Sequence, residues 1–496
     1  MEGSRVEESR LTESRSTESK TTQNKSAENG KLGKLSAEKS EFAYHTRRML
    51  DFIEKSPSPF HVIANLSDQF ANAGFSELQE TDSWRLEPGG KYFVVRNGSS
   101  VIAFCVPLLT AEKTEKKGCR GFHIAAAHSD SPTFKIKENP VEAADKRYLK
   151  LNTEKYGGMI LSTWLDRPLS IAGRVAVAGQ AAEDEPLALV TKLVNLDRDM
   201  LVIPNVAIHM NRDMNKGVEY NPQIDMLPLF GEPENEKQSG ESEEDQKSRD
   251  VFLAEIAAAA GVQTEEILGH DLFLYVRDKG RVFGRDGEFV LSPKLDDLQC
   301  VYAAAEALCT TVPHAYISLC AVFDNEEVGS RTRQGADSTF LKDTVERICE
   351  ALCDICGESS AATLEKKWIA DSFLISADNA HAVHPNHPEK ADPTNRPYLN
   401  GGIVIKYHGG QKYTTDAVSA ARMKALCKKV GVPCQTYANR SDIAGGSTLG
   451  NLSAGHLPVL SVDIGLPQLA MHSAVETGGA KDTAYAVKVL QEFFRE

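Results

Sequence analysis

The run Tyr316-Ile317-Ser318-Leu319-Cys320-Ala321-Val322-Phe323 reads as a buried strand, and it ends in Asp324-Asn325-Glu326-Glu327-Val328-Gly329-Ser330. Two adjacent carboxylates at such a place repel each other and both lose hydration, so something positive must hold them. One Glu on a metal ion and the other on a metal-activated water would relieve the repulsion and yield a hydrolase. The plain alternative is a solvated pair in a surface loop. The strand that precedes the pair, and four further motifs, favour the metal.

Strand and helix signals alternate from Leu291 to the end of the chain. Helices are expected over Cys300–Leu308, Ser338–Cys356, Ala417–Val430 and Glu476–Arg495, and strands over Trp368–Ser376 and Val459–Ile464. Before them stand a helix over Pro59–Ala73 and a strand over Phe122–Ala127 that ends at His128. This alternation implies an α/β fold, a mixed sheet with helices on both faces. Between Ser131 and Val290 the pattern changes to short strands such as Leu187–Leu193 and Gly280–Phe283. It reads as an inserted, mostly-β domain (131–290) that splits a catalytic domain made of 42–130 and 291–496. Residues 1–41 are rich in Ser, Glu and Lys with little apolar content and read as a disordered tail, with order beginning near Phe42. Pro233–Asp250 reads as an exposed acidic loop.

Composition narrows the function classes. The 496 residues are 41% hydrophobic and 25% charged, which is ordinary for a soluble protein large enough for more than one domain. A net charge of −14 argues against nucleic acid and anionic membrane as partners. No apolar run reaches the roughly 18 residues of a membrane span, and no secretory signal is expected, which favours the cytoplasm. The ten cysteines should then stay reduced. Cys349, Cys353 and Cys356 fall at helical spacing and read as one buried helix face rather than a metal or redox motif.

Metal-ligand residue types recur at or near strand ends, where α/β sheets gather function. They are His128-Ser129-Asp130, Leu295-Asp296-Asp297-Leu298, Glu326-Glu327, Ala377-Asp378-Asn379-Ala380-His381-Ala382-Val383-His384, and Met471-His472-Ser473. Singly, His128-Ser129-Asp130 could be turn chemistry and Asp296 or Asp297 a helix cap. Together, His, Asp, Glu, Asp and His suit two divalent cations, with zinc the best match in softness. The HExxH helix of single-zinc proteases is absent.

These five motifs, in this order, resemble the aspartyl aminopeptidase family, which includes vacuolar aminopeptidase I. Ser56-Pro57-Ser58-Pro59-Phe60-His61, Tyr156-Gly157-Gly158, Trp164-Leu165-Asp166-Arg167, Ala172-Gly173-Arg174-Val175 and Ala207-Ile208-His209 match as well. The resemblance implies that Asp296 bridges two metals, with His128 and Asp378 on one and Glu327 and His472 on the other. It makes Glu326 the general base and Asp130 the carboxylate that orients His128. Lys406, in Gly402-Ile403-Val404-Ile405-Lys406-Tyr407, matches the position that reads an acidic substrate side chain; on spacing alone it is a strand lysine facing water. His381 is placed at the pocket wall, and His384 and His387 are left as supporting or structural groups. His209, in an apolar strand, matches a residue that reaches a neighbouring subunit's active site, and the resemblance implies dimers assembled into a dodecamer. The family carries Asp-Asn where this chain has Asp296-Asp297, so the part played by Asp297 stays open. The Gly-rich stretch Asp442–Gly450 lacks a P-loop lysine and is read as backbone lining for peptide.

The implied activity is removal of N-terminal Asp or Glu from peptides by a metal-activated bridging water. An aminopeptidase of broader or neutral specificity, and a non-catalytic assembled shell, are the rivals.

Overall fold

Strands that are buried at every position need cover on both sides, and the middle of the central sheet is built from them. Phe122–His128, Ile317–Phe323 and Phe373–Ala377 are buried throughout. The computed structural model describes residues 38–108, 119–145, 147–179, 188–233, 241–446 and 448–496. Nine strands make this sheet, in the order Ser76–Leu78, Lys91–Arg96, Ser100–Cys105, Ile317–Phe323, Phe122–His128, Phe373–Ala377, Leu460–Gly465, Ile403–Tyr407 and Cys434–Ala438. The four strands from Ile317–Phe323 to Leu460–Gly465 are mutually parallel, and antiparallel neighbours flank them. Alternate side chains of one strand enter different cores. Ala125 and Ala127 pack with the helices Leu295–Cys309 and Asp482–Arg495, whereas Ile124 and Ala126 pack with Phe340–Leu352. The fold is therefore mixed α/β with helices on both faces.

A second sheet of six antiparallel strands is made wholly from residues 133–276, in the order Leu189–Asn195, Leu169–Ala178, Ile267–Val276, Thr133–Ala144, Tyr148–Tyr156, Leu229–Gly231. Helix Glu241–Ala260 lays Phe252 and Ile256 into its core. A third sheet joins Arg281–Phe283, Phe289–Ser292, Glu476–Gly479, Pro467–Leu469 and Ala380–His381 beside the ends of the parallel strands.

Several expected elements differ. Trp368 closes the helix Ala361–Asp371, and the strand starts only at Phe373. Trp368 still buries its ring edge-on against Phe122, so its apolar signal is a helix-to-sheet contact. Glu476–Gly479 is a strand, and the last helix begins at Asp482. Arg281–Phe283 pairs into the third sheet rather than the six-stranded one. The acidic stretch expected as a loop is helical from Glu241 onward, while 234–240 lie outside the described residues. The expected tail lies outside them as far as residue 37, and residues 38–54 are helical.

Candidate metal centre and substrate cleft

In the parallel register Phe323 sits beside His128, so both strands stop at one level. Ser129 N–H donates to the Phe323 carbonyl at 2.7 Å and ties the two exits together. Beyond Phe323 the chain must turn at once, and Asn325 does so at φ 63°, a left-handed conformation that Asn tolerates better than most residues. Asp378 follows the neighbouring strand directly. Asp296 comes from the irregular first turn of Leu295–Cys309, after Lys294 at φ 56°. His472 stands in the loop after Pro467–Leu469, at φ 65°. Three non-glycine residues with positive φ thus crowd one site, held there by the structure around them.

The donor atoms fall into groups within 4.8 Å of one another: His128, Asp296, Asp297 and Asp378; Asp296, Glu327 and His472; and His128, Glu326 and Glu327. Asp296 belongs to the first two. Its Oδ1 lies 3.6 Å from His128 Nε2, and its Oδ2 lies 3.4 Å from His472 Nε2. Glu327 Oε1 is 3.4 Å from the same His472 nitrogen. Both imidazoles present Nε2 because Nδ1 is engaged behind. His128 Nδ1 lies 3.1 Å from the Asp130 carbonyl, and His472 Nδ1 bonds the Gly158 carbonyl. This is the usual way a metal-ligating imidazole is oriented.

The buried charge is one-sided. Burial and neighbouring carboxylates raise Glu326 to about 8 and Asp378 to about 6, and push Glu327 and Asp297 well above the carboxylate range. Asp296 alone is lowered: burial opposes its charge, but His128 and His472 outweigh it. Burial likewise opposes charge on His472, yet Asp296 and Glu327 lift it to about 10. Asp296 Oδ1, Asp297 Oδ1 and Glu327 Oε1 are buried without a hydrogen-bond partner. Orphaned carboxylate oxygens facing free imidazole nitrogens are the donor set a borderline divalent cation takes, so the residues fit zinc.

Asp130 does more than expected. Its carboxylate accepts the Glu326 and Glu327 N–H groups, both at 3.1 Å, and the Tyr156 hydroxyl at 2.7 Å. Its side-chain Oδ1 is 3.5 Å from His128 Nδ1. Glu476 was not singled out as a site residue in the sequence. It is buried, and it accepts the Asp296 N–H at 3.0 Å and the His472 N–H at 2.7 Å, so it ties Asp296 to His472. Gly478-Gly479, unfavourable inside a helix, is the sequence cue that separates its strand from the helix after it.

A cleft of about 260 Å³ opens on this cluster. Its lining includes His128, Asp296, Glu326, Asp378 and His472, together with His381, Lys406, Tyr413, Tyr437, Gly446 and Thr448. Lys406 does not face water; it is 2% exposed. Its Nζ donates to the Asn379 carbonyl at 3.1 Å and lies 3.4 Å from Asp378 Oδ2. His381 sits at the exposed rim, and His384 and His387 are exposed, their rings 5.3 Å apart and tilted at 35°. The Gly-rich stretch contributes Gly446 and Thr448. His209 is not in a strand. Ala207–Met210 is an exposed turn, with the Met210 N–H on the Ala207 carbonyl at 2.8 Å, and His209 is not among the cleft residues.

Comparison with known proteins agrees with this geometry. A family profile described as aminopeptidase I zinc metalloprotease (M18) matches residues 52–494. A probable M18 family aminopeptidase 2 of Clostridium acetobutylicum is 46% identical over 454 residues, covering 92% of this chain and 98% of that protein. Aspartyl aminopeptidase 1 of Schizosaccharomyces pombe is 37% identical over 478 residues, covering 93% and 96%. Among solved structures, Ape4 in its complex with Nbr1 superposes with a TM-score of 0.83 at 36% identity, covering 91% of this chain and 86% of that one. The mApe1 dodecamer of S. cerevisiae gives 0.72 at 26%, covering 91% and 97%. With a profile that spans most of its length and relatives matched almost end to end, the chain belongs to the M18 family of zinc metalloproteases and is an aminopeptidase.

Proposed function

We propose that this aminopeptidase removes N-terminal Asp or Glu from peptides, using two divalent cations, zinc in the first instance. One observation carries the two-metal reading: the two oxygens of Asp296 face different imidazoles, in two donor groups that share only that residue. His128 and Asp378 would hold one cation with Asp296, and Glu327 and His472 the other. A pair of such ions lowers the pKa of water and stabilises negative charge on a peptide carbonyl oxygen.

The chain's own groups do the rest. The Glu326 carboxylate, on the cleft wall, takes a proton from the attacking water and gives it to the departing amine nitrogen. Asp130 fixes the backbone of Glu326 and the ring of His128. Lys406 supplies the local positive charge that an acidic side chain needs against a protein of net charge −14. It already contacts the Asn379 carbonyl, Asp378 and the Tyr413 ring, and a substrate carboxylate in the cleft would be a further partner for its charge. His381 lines the cleft rim. The name of the S. pombe relative supports the acidic preference.

Residues 131–290 are proposed as a dimerisation domain. Val206, Ile208 and Met210 are exposed apolar residues beside His209 in the chain, and a partner subunit's cleft would give that His its place as an oxyanion donor. Dimers building a dodecamer would match the S. cerevisiae relative. No helix among the described residues is long and apolar enough to cross a membrane. Cytoplasmic residence remains the proposed setting.

Rates on Asp-, Glu-, Leu- and Ala-anilides test the substrate class. Asp and Glu should lead, and Lys406→Met should lose that lead while Leu and Ala hydrolysis falls far less; a preference for Leu in the wild type contradicts the assignment.

A further inference from the structure

The strand Tyr148–Tyr156 belongs to the six-stranded sheet, yet the chain that leaves it runs straight into the metal centre. At its end the Tyr156 hydroxyl donates to Asp130 Oδ2 at 2.7 Å and accepts from Asn325 Nδ2 at 2.8 Å. Asp130 follows His128, and Asn325 precedes Glu326 and Glu327, so this one hydroxyl fastens the two loops that carry three of the cluster's groups. The segment then passes Glu327 so closely that a Cβ on Gly157 would stand 3.0 Å from the Glu327 Cβ. Further on, the Gly158 carbonyl takes His472 Nδ1, the Ile160 N–H donates to the His472 carbonyl at 3.0 Å, and Thr163 Oγ1 accepts the Ala474 N–H at 2.9 Å.

We propose that Tyr156–Thr163 is a positioning strap for the metal centre, that the Tyr156 hydroxyl is its principal contact, and that the six-stranded sheet therefore sets metal affinity as well as any subunit contact. Tyr156 touches neither a candidate ligand atom nor the cleft; it acts through Asp130 and Asn325. Outer groups that orient metal ligands influence affinity or activity by about 10–100-fold when removed. The inference rests on the ligand set given under the proposed function.

The test is zinc competition against a chelating indicator, with full-length wild type, Tyr156→Phe and Tyr148→Phe. Tyr148 starts the same strand, is exposed, and serves as the control. Tyr156→Phe should bind zinc about 10–100-fold more weakly and lose kcat at saturating zinc with KM little changed, while Tyr148→Phe matches the wild type. Metal-free Tyr156→Phe should melt somewhat below metal-free wild type, since both hydrogen bonds exist without metal, but the gap should widen when zinc is bound. Unshifted zinc affinity in Tyr156→Phe overturns the strap alone. So does a drop in melting temperature as large without zinc as with it, which would make Tyr156 a fold residue. A wild type that takes up no zinc overturns the ligand set itself.

Discussion

A carboxylate can bridge two cations only if its oxygens are both free of protein donors and aimed apart, and Asp296 meets that condition through its backbone. Its N–H is taken by Glu476, its carbonyl by the Ser131 hydroxyl at 2.8 Å, and its side chain is left to the two imidazoles. Glu326 is different: it stands outside the two groups joined through Asp296 and joins one member of each, His128 and Glu327, in a third, so it borders both, where a proton carrier is needed. Glu326→Gln should keep its metal and its melting temperature while kcat falls by about 10²–10⁴; metal analysis, calorimetry and steady-state rates check this, and a normal rate would remove Glu326 from the mechanism. Asp297 has its carboxyl pushed well above the usual range by burial, with Asp378 and Asp296 adding to it, and its Oδ2 lies 3.3 Å from the His128 N–H. An amide copies that neutral form, so Asp297→Asn should retain wild-type zinc content and kcat in the same assays. At this scale the clustering of His128, Asp296, Glu327, Asp378 and His472 was readable because each sits in a short motif at or near a strand end. Glu476 was hidden because its work is done on backbone N–H groups, and such work leaves no residue pattern.

Elements place these residues, and their ends carry most of the information. The paired ends of Phe122–His128 and Ile317–Phe323 set His128 and the Glu326-Glu327 turn on one level. The other end of the first strand holds His123 in a buried slot between the rings of Tyr316 and Phe493, 3.8 and 4.4 Å away. Its Nδ1 lies 2.7 Å from the Phe493 carbonyl, and Arg422 donates to Nε2 at 2.7 Å. Burial, with Arg422 and Arg120, lowers its pKa from 6.5 to about 3, although the Phe493 carbonyl opposes the shift. Between pH 6.5 and 3 the unfolded chain therefore binds a proton that the folded chain refuses. Stability from this group is whole above pH 6.5 and falls as pH drops, by up to about 1.4 kcal/mol per pH unit. His123→Gln should be less stable than wild type at pH 7.5 but show a shallower loss between pH 6.5 and 4.5, measured as melting temperature against pH. Uniformly apolar strands and the helix Ala417–Val430 were legible from sequence. The Trp368 and Glu476 boundaries were not, because each apolar or polar signal there belongs to a contact made in three dimensions, across a helix end or a third sheet.

At the scale of the whole molecule, a pocket of like charges is a cost of folding that bound cations relieve. Removing them with a chelator should abolish activity and lower the melting temperature, since a ligand at a thousand times its Kd stabilises by about 4 kcal/mol; added zinc should restore both. If His209 serves a partner's cleft, Glu326→Gln and His209→Ala chains, each inactive alone, should regain activity when co-assembled. An inactive mixture, or an active His209→Ala homomer, would put the residue outside the mechanism. This proposed role rests on resemblance, because His209 lies exposed in a turn of the single chain. The most direct test of the account is anomalous diffraction at the zinc edge from crystals of the loaded protein. It should show two peaks per chain, one between His128, Asp296 and Asp378 and one between Asp296, Glu327 and His472; a single peak, or peaks that leave Asp296 untouched, would contradict it.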